Sequence, residues 1–104
     1  MSVSVLTKDN FEQEVLRSGQ KVLVDFWAPW CGPCRMLSPL VDEVAETPGL
    51  PFRVGKVNVD EEPDLAEKYG VFSIPTLIVF EGGKPVNTSV GVISKQDILH
   101  MVQG

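Results

Sequence analysis

Both cysteines of the chain, Cys31 and Cys34, lie in the stretch WAPWCGPCR, residues 27–35, among two tryptophans and two prolines. Thiols at this spacing can clamp a metal, staple a loop, or open and close as a redox couple. Zinc takes four protein ligands, or three and a water, and here the C-x-x-C is accompanied by one histidine, His100, far along the chain in an amphipathic stretch. Covalent haem attachment needs histidine directly after the second cysteine, where Arg35 stands. An iron–sulfur cluster ordinarily takes four cysteines. As a staple, so short a loop gives only about 2 kcal/mol in the chain-entropy model, against about 3 for a fifteen-residue loop. A dithiol meant to cycle between open and closed forms is the chemistry that fits.

Composition agrees. At 104 residues, with 43% apolar and 22% charged side chains, the chain has the size and make-up of one globular domain, expected over 1–104. A core of that size does not require a disulfide or a metal to fold. The net charge of -5 is spread along the chain without a basic block, which argues against nucleic acid or an anionic membrane as partner. MSVSVLTKDN lacks the charged start and apolar stretch of a signal peptide, and no apolar run has the length of a membrane span. The expectation is a cytoplasmic protein, and in a reducing cytosol closely spaced cysteines are more often catalytic, redox-sensing or metal-binding than permanently bridged.

The elements that must position the cysteines are legible from punctuation and periodicity. Val3 to Leu6 reads as a strand, and Asp9 with Glu12 three residues later as a helix start, with Phe11 and Val15 on one face and Gly19 at the close. KVLVDFWA, residues 21–28, is a continuous apolar run of the kind found in a central strand covered on both faces, interrupted by Asp25. The next helix begins at the cysteines, with Pro33 in its first turn, carries Met36, Leu37, Leu40, Val41 and Val44, and should kink at Pro39 before stopping at Thr47, Pro48 and Gly49. Phe52 to Val59 reads as a strand with a phase slip at Gly55 and Lys56, either a bulge or a two-sided strand. Asp60 to Gly70 reads as a short helix. Thr76 to Phe80 and Val86 to Val90 flank EGGKP as an antiparallel hairpin, and Ser94 with Asp97 opens a last helix. The order β-α-β-α-β-α-β-β-α predicts an α/β fold. It has a central mixed sheet, parallel where helices link the strands, with helices on both faces.

In that frame Cys31 ends the loop after the buried strand and Cys34 lies in the first turn of a helix. Residues three apart on such a turn have β-carbons about 5 to 6 Å apart, close to the disulfide range, so opening and closing demand little rearrangement. Unpaired backbone N–H groups and the positive end of the helix dipole favour a thiolate at Cys31, the form that attacks disulfides. Asp25 is a second candidate: an ionised carboxylate in an apolar strand is costly unless it is paired or neutral.

VDFWAPWCGPCR resembles the active-site segment of the thioredoxin family, and KVNVDEEPDLAEKYGV, SIPTLIVFEGGK and Val90-Gly91 follow in the family's order and spacing over essentially the whole chain. The resemblance implies the thioredoxin fold, with a sheet of four or five strands. It also implies a protein-disulfide reductase with no bound cofactor, recharged by a thioredoxin reductase that draws on NADPH. It makes Cys31 the exposed attacking cysteine and Cys34 the buried resolving one. Asp25 becomes the buried acid that exchanges a proton with Cys34, with Lys56 as its neighbour. Pro75 matches the family's cis proline, and the preceding Ile74 would offer backbone groups to an extended substrate segment, which suits strand-like pairing. Burial would raise the pKa of Asp25 and a nearby Lys56 would oppose it, a raised value suiting a general base.

Trp30, Gly32, Pro33, Ile74, Pro75 and Gly91, with Trp27 in support, resemble an apolar rim for docking disulfide-bearing protein segments. Core packing explains Trp27 equally well, whereas contact better explains Trp30 beside the cysteine. Phe72, in VFS at 71–73, departs from the smaller or polar residues common in the family at this place and bears on partner range. His100 reads as a solvated helix residue and the acidic run from Asp60 to Asp64 as a helix start, neither with a catalytic role. Between the cysteines Gly32 and Pro33 add no cation to stabilise the thiolate further, so a reductant rather than an oxidant is expected. The expectation is therefore a monomer that serves disulfide-containing target proteins. The competing class is a redox-sensitive binding subunit of the same fold, whose contacts matter more than its turnover.

Overall fold

A computed structural model of the chain describes residues 3–103. Met1, Ser2 and Gly104, at the ends of the domain expected over 1–104, lie outside the described residues. β1 (Val3–Val5) leads into a helical segment whose cap is Thr7 rather than the expected Asp9. The Thr7 carbonyl accepts the Phe11 N–H at 2.9 Å. Its hydroxyl accepts the Asp9 N–H at 3.2 Å, and its own N–H donates to Asn10 Oδ1 at 2.8 Å. This is a capping box two residues upstream, with asparagine in the usual place of glutamate. Glu12–Leu16 then winds as a π-helix, the Arg17 N–H reaching the Glu12 carbonyl, and Phe11 and Val15 are buried.

The remaining elements are β2 (Lys21–Trp27), α1 (Gly32–Glu46), β3 (Phe52–Asn58), α2 (Pro63–Lys68), β4 (Thr76–Glu81), β5 (Lys84–Val90) and α3 (Lys95–Gln103). The five strands form one mixed sheet in the order β1-β3-β2-β4-β5, with β1 and β2 parallel to β3. β4 runs antiparallel to β2, although a helix links it to β3. The chain re-enters the sheet at the end where β3 left it, Thr76 opposite Phe26 and Asn58 beside Trp27. β5 follows as the expected hairpin, and the Ser94 hydroxyl caps α3 by accepting the Asp97 N–H at 3.1 Å.

Alternation along β2 sorts its side chains onto two cores. Val22, Val24 and Phe26 join Phe11, Val15, Val57, Ile78 and Phe80 on the face covered by the π-helix and α2. Leu23 joins Leu37, Val41, Val44, Leu77, Ile98 and Val102 beneath α1 and α3. β3 serves both faces, with Val54 in one core and Val57 in the other and no bulge in its pairing, so the slip at Gly55 marks a two-sided strand. A Cβ on Gly55 would lie 2.5 Å from Leu6 Cδ1, and glycine leaves that space to Leu6. α1 continues through Pro39, which has no N–H to offer the Arg35 carbonyl. Among the described residues no helix is long and apolar enough to cross a membrane.

Candidate functional site

The ends of β2, β3 and β5, the start of β4 and the N-terminus of α1 come together at one end of the sheet. Cys31 is the N-cap of α1, with extended backbone (φ -87°, ψ 113°), and its Sγ accepts the Cys34 N–H at 3.2 Å. The two sulfurs are bonded, with Cα atoms 5.2 Å apart. Pro33 stands in the first turn, where its lack of an N–H costs nothing. The disulfide is well covered: Cys31 is 5% exposed and Cys34 2%, packed with Ala28 against Trp27, Val59 and Ile74. Exposure alone thus separates the two sulfurs little in this closed form. What distinguishes them is that an amide points at Cys31.

Trp27 at the end of β2 is half-buried against the cysteines and accepts the Val59 N–H on its carbonyl, the arrangement expected of packing. Trp30 is 67% exposed, and its indole N–H donates to both carboxylate oxygens of Asp60, at 3.2 and 3.0 Å. Asp60 was not expected at the site. The available signal was topological, because the loops following two paired parallel strands leave the sheet at the same end. Gly32 is half-buried, Pro33 exposed, and the Arg35 guanidinium donates to the Pro29 carbonyl at 2.8 Å.

Facing the disulfide, the Ile74 carbonyl oxygen lies 3.8 Å from Cys31 Sγ. The Ile74–Pro75 bond is cis, as the resemblance implied, and Pro75 is buried. Gly91 holds a backbone conformation reserved to glycine (φ 99°) and donates its N–H to the Pro75 carbonyl at 2.9 Å, so it braces the proline. Neither the N–H nor the carbonyl of Ile74 makes a backbone hydrogen bond among the described residues.

Asp25 lies on the face of β2 beneath α1 and is 1% exposed, its Oδ1 without a hydrogen-bond partner. Burial pushes its carboxyl up to about 7, opposed by Lys56 and assisted by Asp42. Lys56 is in direct register with Asp25 across β2 and β3. Its ammonium is nevertheless held by α1, donating to Ser38 Oγ at 2.5 Å and pairing with Asp42 at 3.2 Å. Among the described residues no hydrogen bond joins Asp25 to Cys34. His100 is exposed in the last turn of α3, away from this cluster.

The thioredoxin family profile matches residues 2–104. The chain is 51% identical to the thioredoxin of Pyropia yezoensis, over 94% of this chain and 92% of that one. It is 54% identical to thioredoxin 1 of Synechococcus elongatus, over 91% and 90%. To the chloroplastic M-type thioredoxin of Chlamydomonas reinhardtii it is 48% identical, over 91% of this chain and 68% of that one. With the Cys31–Cys34 disulfide at the head of a helix in a five-stranded mixed sheet, the chain belongs to the thioredoxin family and is a thiol–disulfide oxidoreductase that reduces target proteins through that pair.

Proposed function

We propose that Cys31 is the attacking thiol, that Cys34 resolves the mixed disulfide, and that Asp25 takes the Cys34 proton. The observation that carries this assignment is the Cys34 N–H directed at Cys31 Sγ from the first turn of α1. A thiolate at Cys31 keeps that donor and the positive end of the helix dipole, and Cys34, deeper in the helix, does not share them. In the first step the Cys31 thiolate bonds to one sulfur of the target disulfide, and the other target sulfur leaves with the bonding pair and is protonated. In the second, Cys34 loses its proton to Asp25 and its thiolate attacks Cys31 Sγ. The target's remaining sulfur leaves as a thiolate, and the bond present in this structure forms. Two electrons pass to the target in one cycle, and the two sulfurs carry them without a prosthetic group.

Asp25 is suited to its role because a carboxyl titrating at about 7 can accept a proton at neutral pH and give it up again. Lys56, held by Ser38 and Asp42, acts on Asp25 through its charge at a short remove. Trp30, Gly32, Pro33, Ile74 and Pro75 form the docking rim, Gly91 and Trp27 support it, and Ile74 lends its free N–H and carbonyl to an extended target segment. The chain works as a single domain over 1–104 and as a monomer. Cytoplasmic thioredoxin reductase, using NADPH, returns it to the dithiol.

Cys34→Ser tests the order of events. Its serine hydroxyl cannot displace a partner sulfur, so incubation with cell extract should accumulate covalent adducts on a non-reducing gel that collapse on adding dithiol. Cys31→Ser should give few. More adduct with Cys31→Ser than with Cys34→Ser would reverse the assignment, equal amounts would remove it, and none with either would leave a non-covalent binding module.

A further inference from the structure

Phe72 is 88% exposed, more than any other large apolar side chain described as exposed. The loop carrying it is fixed on both sides. Val71 is buried and donates its N–H to the Ala66 carbonyl at 2.8 Å, and the Thr76 hydroxyl donates to the Ser73 carbonyl at 2.5 Å. Beyond them the Gly91 N–H holds the Pro75 carbonyl. Three other aromatic rings, Phe11, Tyr69 and Phe80, pack on one another at centroid distances of 5.1 to 5.6 Å and leave Phe72 outside. A phenyl ring held in water by a pinned loop loses the burial that such a side chain otherwise gains. Single exposed apolar residues are common, but this one is two residues from Ile74, whose carbonyl oxygen lies 3.8 Å from Cys31 Sγ. Two residues span at most about 7 Å.

Any target reduced here must bring a cysteine sulfur to Cys31, and its chain then crosses Ile74. An extended chain repeats side-chain direction every second residue, at about 6.6 Å. A target segment whose cysteine faces Cys31 and which runs beside residues 72–74 therefore presents the residue two positions from that cysteine to Phe72. We infer that Phe72 is a specificity-determining residue that selects target segments with a large apolar side chain two positions from the cysteine to be reduced. This rests on the proposed role of Cys31 and of the rim around it. Phe72 is not among the residues packed on the two sulfurs, so its influence falls on how tightly a target is held rather than on the exchange itself.

Matched disulfide peptides test this, with leucine or serine two positions from the cysteine on either side, alongside hydroxyethyl disulfide, which has no flanking chain. The wild type should reduce one leucine peptide about tenfold faster, in kcat/KM, than its serine counterpart. Phe72→Ser should bring that ratio close to one and Phe72→Leu should keep most of it, with all three equal on hydroxyethyl disulfide. No preference in the wild type, or the same preference in Phe72→Ser, overturns the inference. So does a slower reaction of Phe72→Ser with hydroxyethyl disulfide, which would mean that Phe72 holds the loop in shape. If Cys34 rather than Cys31 carries the attack, as the adducts of the two serine variants would reveal, the assignment of the attacking sulfur falls and this inference with it.

Discussion

The two faces of β2 are built to different ends. On one, Val22, Val24 and Phe26 meet Phe11, Ile78 and Phe80 in an all-apolar core. On the other, Leu23 and Asp25 alternate beneath α1, so a carboxyl with an unpartnered oxygen stands where a hydrophobic residue would pack better. The first face supplies stability. The second gives up stability to place a carboxyl under the helix that carries the disulfide, where the proposed mechanism uses it as a proton acceptor. A buried carboxyl this costly is a functional feature before it is a structural one.

Phe26→Ala breaks the first face. Phe26 is fully buried, and its truncation should cost about 3 to 5 kcal/mol, read as a lower urea midpoint. The pH at which mixed-disulfide resolution is half-maximal should not move. A moved pH midpoint would show that the two faces are not independent.

Asp25→Asn acts on the second face with the opposite sign. The folded carboxyl titrates at about 7 rather than at its ordinary 3.8, so between these values the folded state binds the extra proton and stability falls as pH rises. Below pH 4 the group is protonated in both states and contributes no penalty. Above 7 it is ionised in both and the whole penalty is present, about 4 kcal/mol at about 1.4 for each tenfold in proton affinity. Asp25→Asn should therefore be more stable than wild type by up to that amount at pH 8, with the advantage shrinking to nothing towards pH 4, while resolution slows. An advantage that stays constant with pH would mean that the carboxyl is not desolvated.

The charges around Asp25 give the smallest effects and the finest comparison. Lys56→Met removes the cation that lowers its pKa, so the pH midpoint of resolution should rise. Asp42→Asn removes an anion that raises it and also frees Lys56 to approach, so that midpoint should fall. Shifts in the same direction would exclude a coulombic origin.

Much of this was legible in the residues. The continuous apolar run of β2 announced a strand covered on both faces, and W-C-G-P-C after it located the disulfide at a helix start. The hairpin and the Ser94 cap were equally plain. What local pattern could not supply was competition and distance. Asp9 with Glu12 matched a capping box, but Thr7 accepts the Asp9 N–H and Asn10 accepts the Thr7 N–H, so the cap forms two residues earlier. The direction of β4 depended on the end at which the chain re-enters the sheet, which periodicity does not report. Lys56 was expected beside Asp25 and is, by register, yet Ser38 and Asp42 of α1 hold its ammonium. Those partners lie across a helix–strand interface, where spacing along the chain says nothing. Asp60 belonged to an acidic run that read as a helix start until β2 and β3 were paired and its loop met Trp30.

β5 is an outer strand whose side chains are largely exposed, and an unprotected outer strand is a template on which other chains can polymerise. Here Pro85 has no N–H to give, and Thr88 gives its own to Asn87 Oδ1 at 3.0 Å. A protein that reduces disulfides in other proteins is exposed to that hazard in its encounters with them. Ile74 leaves its N–H and carbonyl without backbone partners at a single position, whereas pairing is discouraged along β5, where it could repeat without limit.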